Sequence, residues 1–326
     1  MSQVDREALV AEAMLAPSVH NVQPARWRLA GADGLQLFED PGCRLTVGDP
    51  GGNDAGISLG AAAEGLRLAA GRVGLVLVPA EPPAAEPGLR PVAGYRLVPS
   101  EEAPDPLASH VEARRSWRGT FAKPGAADRE AVSALACENA AVLVDPEVLG
   151  GLARRFDRAS FGFMRESDFR GELLSWMRLT PRHPRWSRDG LNAEAMAMGR
   201  VEAWGAGLLL GRGFAAFDRI GLARPLLAEG AKVAGAAGLV VFHRPSDEAP
   251  FDSGAHFYRL WLRLEAAGFC AAVLAALADD REAAAEVARI AGVPEGRRVV
   301  SAFRIGRRPA GAMLGRARRP IAEVLV

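Results

Sequence analysis

The order of apolar and polar positions divides the chain into short periodic elements. Val4, Ala8, Ala11 and Leu15 recur at helical spacing, which predicts an amphipathic helix over 4–15. Strand-like runs at 27–29 and 35–38 flank Gly31-Ala32-Asp33-Gly34, a hairpin turn with glycine at both ends. An Ala/Leu-rich helix over 57–70 ends at Gly71, followed by a buried strand over 73–78 and another over 92–98. Further on, the pattern predicts a helix over 126–136, a strand over 141–144 and helical chain over 146–176. Pro181-Arg182-His183-Pro184 breaks that run, and glycine-rich helices follow over 191–235. Strands at 239–242, 269–274 and 299–305, with helices over 254–267 and 281–291, complete an α+β order.

One unit occurs twice. Leu37-Phe38-Glu39-Asp40-Pro41 leads through a loop to a helix containing Leu66-Arg67-Leu68, then Gly71 and a strand. Val241-Phe242-His243-Arg244-Pro245 leads to a helix containing Leu262-Arg263-Leu264, then Gly268 and a strand. The shared Phe-x-x-Pro and Leu-Arg-Leu spacing predicts an internal duplication. The acidic stretch 99–106, with three prolines, is the best linker. The expected halves are therefore 1–105 and 106–326.

Composition narrows the classes. Forty basic and 39 acidic residues leave a net charge of +1, which argues against a general nucleic-acid or anionic-membrane binder. Positive charge is instead local, at 114–118 and 304–319. Cys43, Cys137 and Cys270 are too far apart for a disulfide framework or a CxxC metal pair. The charged start Met1-Ser2-Gln3-Val4-Asp5-Arg6-Glu7 does not read as a secretory leader. The apolar run 201–220 is interrupted by Glu202, Arg212, Asp218 and Arg219, so it does not read as a membrane span. The expectation is a cytoplasmic protein. His243, His256 and Cys270 lack short ligand spacing, no G-x-S-x-G elbow occurs, and Gly211-Arg212-Gly213 lacks the third glycine of a dinucleotide loop.

Candidate chemistry lies in three blocks. Pro17 and Pro24 stiffen a loop carrying Ser18, His20, Asn21 and Gln23, which suits a flat, heteroatom-rich ligand or, equally, a solvated helix cap. In Arg114-Arg115-Ser116-Trp117-Arg118, a helical conformation would put Arg114 and Arg118 on one face. In an extended tail, Arg316 and Arg318 would share a side. Such clusters meet phosphate, or form ordinary solvated charge.

Pro17-Ser18-x-x-Asn21-x-Gln23-Pro24 resembles the flavin loop of the nitroreductase-type FMN oxidoreductases. Arg114-Arg115-Ser116-Trp117-Arg118 is similar to that family's R-R-S-x-R signature, and the segment 316–324 to its basic C-terminal segment. The loop precedes the arginine block, an order that resembles the single-chain Acg-like branch with two fused halves. Ala25 and Arg26 intervene before Trp27, and Gly119-Thr120 before Phe121, both departures from the ordinary pattern. The resemblance implies a nitroreductase-like pseudo-dimer within one chain, compatible with a monomer, holding one FMN. The loop residues Pro17, Ser18, Asn21 and Gln23 would come from one half. Arg114, Arg115, Ser116, Arg118, Arg316 and Arg318 would come from the other. It further implies NAD(P)H-dependent reduction of small acceptors such as nitro compounds or quinones, or, alternatively, FMN sequestration without turnover.

Overall fold

The computed structural model describes residues 5–312 and 315–326. The first helix, α1 (Arg6–Ala13), begins at Asp5, whose carboxylate accepts from the Ala8 amide; Val4, the expected start, lies outside the described residues. Then come β1 (Ala25–Ala30), β2 (Gly34–Glu39), α2 (Asn53–Arg72), β3 (Leu75–Ala80) and β4 (Arg90–Pro99). The strands form an antiparallel sheet in the order β1-β2-β4-β3. The predicted turn is present, with Gly31 in the left-handed region at φ +54°.

After α3 (Ala126–Ser133), β5 (Ala140–Leu143), α4 (Pro146–Arg165) and α5 (Ser167–Trp176), a two-residue parallel pairing joins β6 (Met177–Arg178) to β7 (Leu191–Asn192). Four short helices follow: α6 (Arg200–Leu210), α7 (Phe214–Arg219), α8 (Ala223–Leu227) and α9 (Gly230–Ala234). The remaining elements are β8 (Gly238–Pro245), α10 (Pro250–Ala266), β9 (Cys270–Val273), α11 (Ala276–Asp279), α12 (Arg281–Ala291) and β10 (Arg297–Gly306). The second antiparallel sheet has the order β5-β8-β10-β9. Both sheets thus carry one connectivity: an opening edge strand, a strand, a long helix, the opposite edge strand, and a last strand in between.

Burial follows the apolar pattern. The run Gly238-Leu239-Val240-Val241-Phe242 has no polar face, and β8 is covered on both sides. Phe242, Phe257, Trp261 and Phe303 pack on one side of the second sheet, and Leu239 and Val241 meet Leu149, Leu152 and Val287 on the other. In the first sheet, Trp27, Leu35 and Leu37 pack against Leu59 and Leu66 of α2. The chain's end joins that same sheet. The Trp27 amide donates to Val324 O at 2.8 Å and the Val326 amide to Trp27 O at 2.9 Å, with Val324 fully buried.

The helices α2 and α10 cross with their backbones in contact. A Cβ on Gly60 would lie 1.8 Å from Phe251 O, and one on Gly254 would lie 2.3 Å from Ile57 O. Glycine is required there because no side chain fits, whatever the backbone angles. Gly60→Ala should therefore destabilise the protein by about 1–3 kcal/mol through overpacking. Gly71→Ala, with nothing within 4 Å of the added methyl, should leave stability unchanged or slightly raised. Urea unfolding of the two variants checks the contrast.

Candidate functional site

A cavity of about 290 Å³ lies above this crossing, floored by Ile57 and Ser58 of α2 and by Phe257 and Trp261 of α10. Pro17, Ser18 and Asn21 line it from the loop after α1; Arg114, Arg115, Ser116 and Arg118 line it from the arginine block; Arg316 and Arg318 line it from the tail. Nine of the ten candidate residues line this cavity. Gln23 does not. It is buried behind the loop, where its side-chain amide donates to Arg188 O at 2.8 Å and its carbonyl accepts from the Arg319 amide at 3.0 Å.

The loop is held in a costly conformation. His20, Asn21 and Gln23 have φ of 43°, 56° and 54°, left-handed values that cost on the order of 1 kcal/mol or more for such residues. Ser18 Oγ accepts from the Gln23 amide at 3.0 Å, and the Val19 amide donates to Ser58 Oγ at 3.2 Å. Asn21 Nδ2 donates to Gly190 O and Ala317 O, and Asn21 Oδ1 accepts from Arg318 at 2.8 Å. Two distant segments therefore pin the turn.

The arginine block is extended rather than helical, so the helix-face pairing of Arg114 with Arg118 does not occur. Ser116 bridges Ala271, and the Trp117 amide donates to Ala271 O at 2.9 Å, which aligns the block along β9. Arg114 is 3% exposed and stacks 4.7 Å from the Trp261 ring, donating one Nη2 bond to Leu15 O. Its Nε and Nη1 are buried without partners, as are Arg115 Nε, Arg316 Nε and His20 Nδ1. The tail is extended, as expected, but its two arginines differ. Arg316 donates only through Nη2, to carbonyls of Glu112 and Arg114 at 3.0 Å and of Val111 at 3.3 Å. Arg318 engages all five N–H groups, on Met14 O, Leu15 O, Ala16 O, Ala317 O and Asn21 Oδ1. It braces the turn and satisfies the carbonyl of Met14, which caps α1, and those of Leu15 and Ala16 in the loop that follows.

Charge in the cavity is lopsided. Burial lowers the pKa of Arg318 to about 9, with the Arg114 charge adding to the effect, and burial likewise lowers Arg114, Arg115 and Arg118. Arg304, behind the block, is lowered to about 10 for the same first reason. At the start of α2, Asp54 also lines the cavity and is pushed up to about 8 by burial, then by Asp279 and Asp49. Asp279 is pushed up to about 6, again by burial first. Neutral pH thus leaves charged arginines and a protonated Asp54 around one cavity. Such a site can hold an anion, a flat apolar body over Phe257 and Trp261, and a proton at Asp54. Burial first, then the Arg118 charge, lowers His20 to about 4, so it stays neutral.

Several lining residues were not anticipated from sequence: Asp54, Asp279, Ser58 and Trp261. Asp54 carried a usable signal, because Gly52-Asn53-Asp54 is a helix start that brings an acid into the first turn. Asp279 carried none.

No protein-family model and no curated protein matches this chain. Solved structures similar to it include an FMN-bound nitroreductase from Bacteroides fragilis, 14% identical with a TM-score of 0.35, covering 64% of this chain and 92% of that one. A nitroreductase-like protein from Bacillus cereus is 13% identical with a TM-score of 0.32, over 69% and 96%. The FMN-dependent nitroreductase NfnB from Mycobacterium smegmatis, solved with NADPH, is 19% identical with a TM-score of 0.33, over 63% and 90%. Superposition at that level leaves the reading to the cavity itself.

The raised Asp54 pKa has a signed consequence. Folding takes up a proton at Asp54 between pH about 4 and about 8, so its contribution to stability is lost as pH rises through that window. Asp54→Asn should therefore flatten the alkaline decline. Chemical unfolding near the two ends of the window measures it, and parallel pH profiles for parent and variant would contradict the assignment.

Proposed function

We propose that this chain is an FMN-binding oxidoreductase of nitroreductase type, whose two halves, 1–105 and 106–326, form one flavin site at their seam. The observation that carries the reading is the donor surplus in the cavity lining. Arg114, Arg115 and Arg316 each bury N–H groups without partners, and the lining holds more positive charge than its carboxylates offset. Buried guanidinium N–H groups without acceptors are costly, even where Glu112 lies 3.5 Å from Arg316 and 3.7 Å from Arg115, and an anionic ligand with several acceptor oxygens relieves them. The fit to FMN rests on this donor set together with the apolar floor of Phe257 and Trp261.

In this reading Arg114, Arg115, Arg118 and Arg316 hold the phosphate and the electron-rich ring edge, while Ser18, Ser116 and Pro17 line the remainder. Asn21, Gln23 and Arg318 position the loop. Bound FMN would supply hydride transfer from NAD(P)H to a small acceptor such as a nitro compound or quinone. Asp54, neutral at physiological pH, holds a proton at the start of α2.

Purified protein should be yellow, release FMN on denaturation and saturate near one FMN per chain. Arg115→Ala and Arg316→Ala should each weaken binding by roughly ten- to a hundredfold, about 1.5–3 kcal/mol for a charge-assisted contact. Arg154→Ala, on the exposed side of α4, should change little. Arg318→Ala should lower thermal stability as well as affinity, because it also removes the brace on α1. Colourless protein that takes up no added FMN would remove the reading. Flavin that binds but is not bleached by NADPH without oxygen would favour sequestration.

A further inference from the structure

Six of the eleven large hydrophobic residues exposed among the described residues fall within 26 positions. They are Val201, Trp204 and Leu208 of α6, at 81%, 70% and 43% exposure, then Ile220, Leu222 and Leu226 across α7 and α8. The α6 residues lie at i, i+3 and i+7, one stripe of the helix. That stripe is not the core-facing side turned outward. Leu209, Phe214 and Ala223 already fill the underlying cluster with Phe161, Met164 and Leu227. The helix is thus apolar on both sides, with one side uncovered.

The charges interleaved with the stripe leave a free positive excess. Arg200, Arg212, Arg219 and Arg224 are exposed and make no ion pair among the described residues. Of the acids in the same segment two are ion-paired, and Glu202, without a cationic partner, is held as a helix cap. Glu202 folds back to accept from the Gly199 amide at 2.7 Å, Asp218 lies 3.6 Å from Arg165, and Glu229 lies 2.5 Å from Lys232. An exposed tryptophan, aliphatic neighbours and unpaired arginines on short helices match the interface of an anionic bilayer, where the ring and methyl groups enter the headgroup boundary and the cations meet phosphate. No helix of the described residues is long and apolar enough to cross a membrane, so the fit is to a surface-lying element. A second copy of the chain fits less well, since a twofold contact on this face would set the same arginines against each other.

We propose that residues 199–229 form a docking surface that seats the protein on an anionic lipid bilayer. The near-zero net charge points the other way for the chain as a whole, but the four unpaired arginines of this segment outnumber its one unpaired carboxylate, Glu202. The proposal is independent of the flavin reading, because none of these residues lines the cavity.

Flotation of the full-length protein with phosphatidylcholine vesicles, with and without phosphatidylglycerol, tests it. The parent should float with the anionic vesicles, remain in solution with the neutral ones, and detach as salt is raised. Replacing the four arginines by glutamine should weaken anionic binding by about fivefold per residue. Combined Trp204→Gln and Leu208→Gln should weaken it by about tenfold or more. Thermal unfolding of these surface variants should match the parent, which separates lost binding from lost structure. Absence of the parent from anionic vesicles, equal flotation on both vesicle types, or variants that float as well as the parent would overturn the proposal. So would concentration-dependent dimerisation in sedimentation that the Trp204 and Leu208 substitutions abolish, since a second copy would then cover the face.

Discussion

Everything around the cavity depends on what Arg318 does with its guanidinium. A helix that ends inside a protein leaves carbonyls that water cannot reach, and α1 ends where the proline-serine loop must start. The amides of Leu15 and Ala16 cap Glu12 O and Ala13 O, but the carbonyls of Met14, Leu15 and Ala16 that follow need donors from elsewhere. Arg318 arrives from the other end of the chain and places N–H groups on the carbonyls of Met14, Leu15 and Ala16, and on Asn21. Its neighbour Arg319 reaches Asp189, which is fully buried among Arg178, Arg185 and Arg319. A buried carboxylate with three cations is stable only as a set, so segment 178–192, the tail and the loop are fixed together. The left-handed turn at His20 and Asn21 persists because these contacts over-determine it.

That arrangement explains how a surplus of positive charge survives in the wall. Arg318 is satisfied by neutral oxygens, so its charge is solvated but not cancelled, and burial, with the charges of Arg114 and Arg115 beside it, lowers its proton affinity. Asp54, the carboxyl best placed to neutralise the cavity, is itself held protonated by burial and by Asp279 and Asp49. The energy lost in desolvating the arginines is recovered only when an anion enters. Ligand binding and folding are then linked: whatever fills the cavity should stabilise the native state in proportion to its affinity.

What was readable in the sequence was whatever a local pattern carries. The continuous apolar run of β8, the hairpin at Gly31 and the Leu-Arg-Leu helices appear where their spacing placed them, and the repeated unit foreshadowed two sheets of one connectivity. The misses share a cause. The arginine block was considered as a helix, and only its pairing with Ala271, more than 150 residues away, makes it extended. The stretch Leu191–Asn192 was read as the start of helical chain, yet it is a strand because Met177 and Arg178 lie beside it. Helix α2 starts at Asn53 rather than near Ile57, because its first turn is polar and an apolar-periodicity reading passes over it. Arg316 and Arg318 look alike in sequence; their different roles depend on where α1 happens to end.

The glycine crossing carries the same dependence into the site. Ile57 and Ser58 stand within one turn of Gly60 on α2, and Phe257 stands one turn beyond Gly254 on α10, so the cavity floor is the upper side of the backbone contact. Its depth is set by how closely the helices approach, which glycine alone permits. A methyl group that forces them apart does more than loosen the core. It separates the floor residues from one another while leaving the arginine wall, which is anchored to β9 and the tail, in place. Stability and ligand affinity should therefore fall together for substitutions at Gly60 or Gly254. Changes at the cavity arginines other than Arg318, which also braces the loop after α1, should separate the two, reducing affinity while relieving, or leaving unchanged, the cost of burying charge. The cavity is in this sense a product of two independent constraints: a steric one in the helices beneath it and an electrostatic one in the chain ends that close over it.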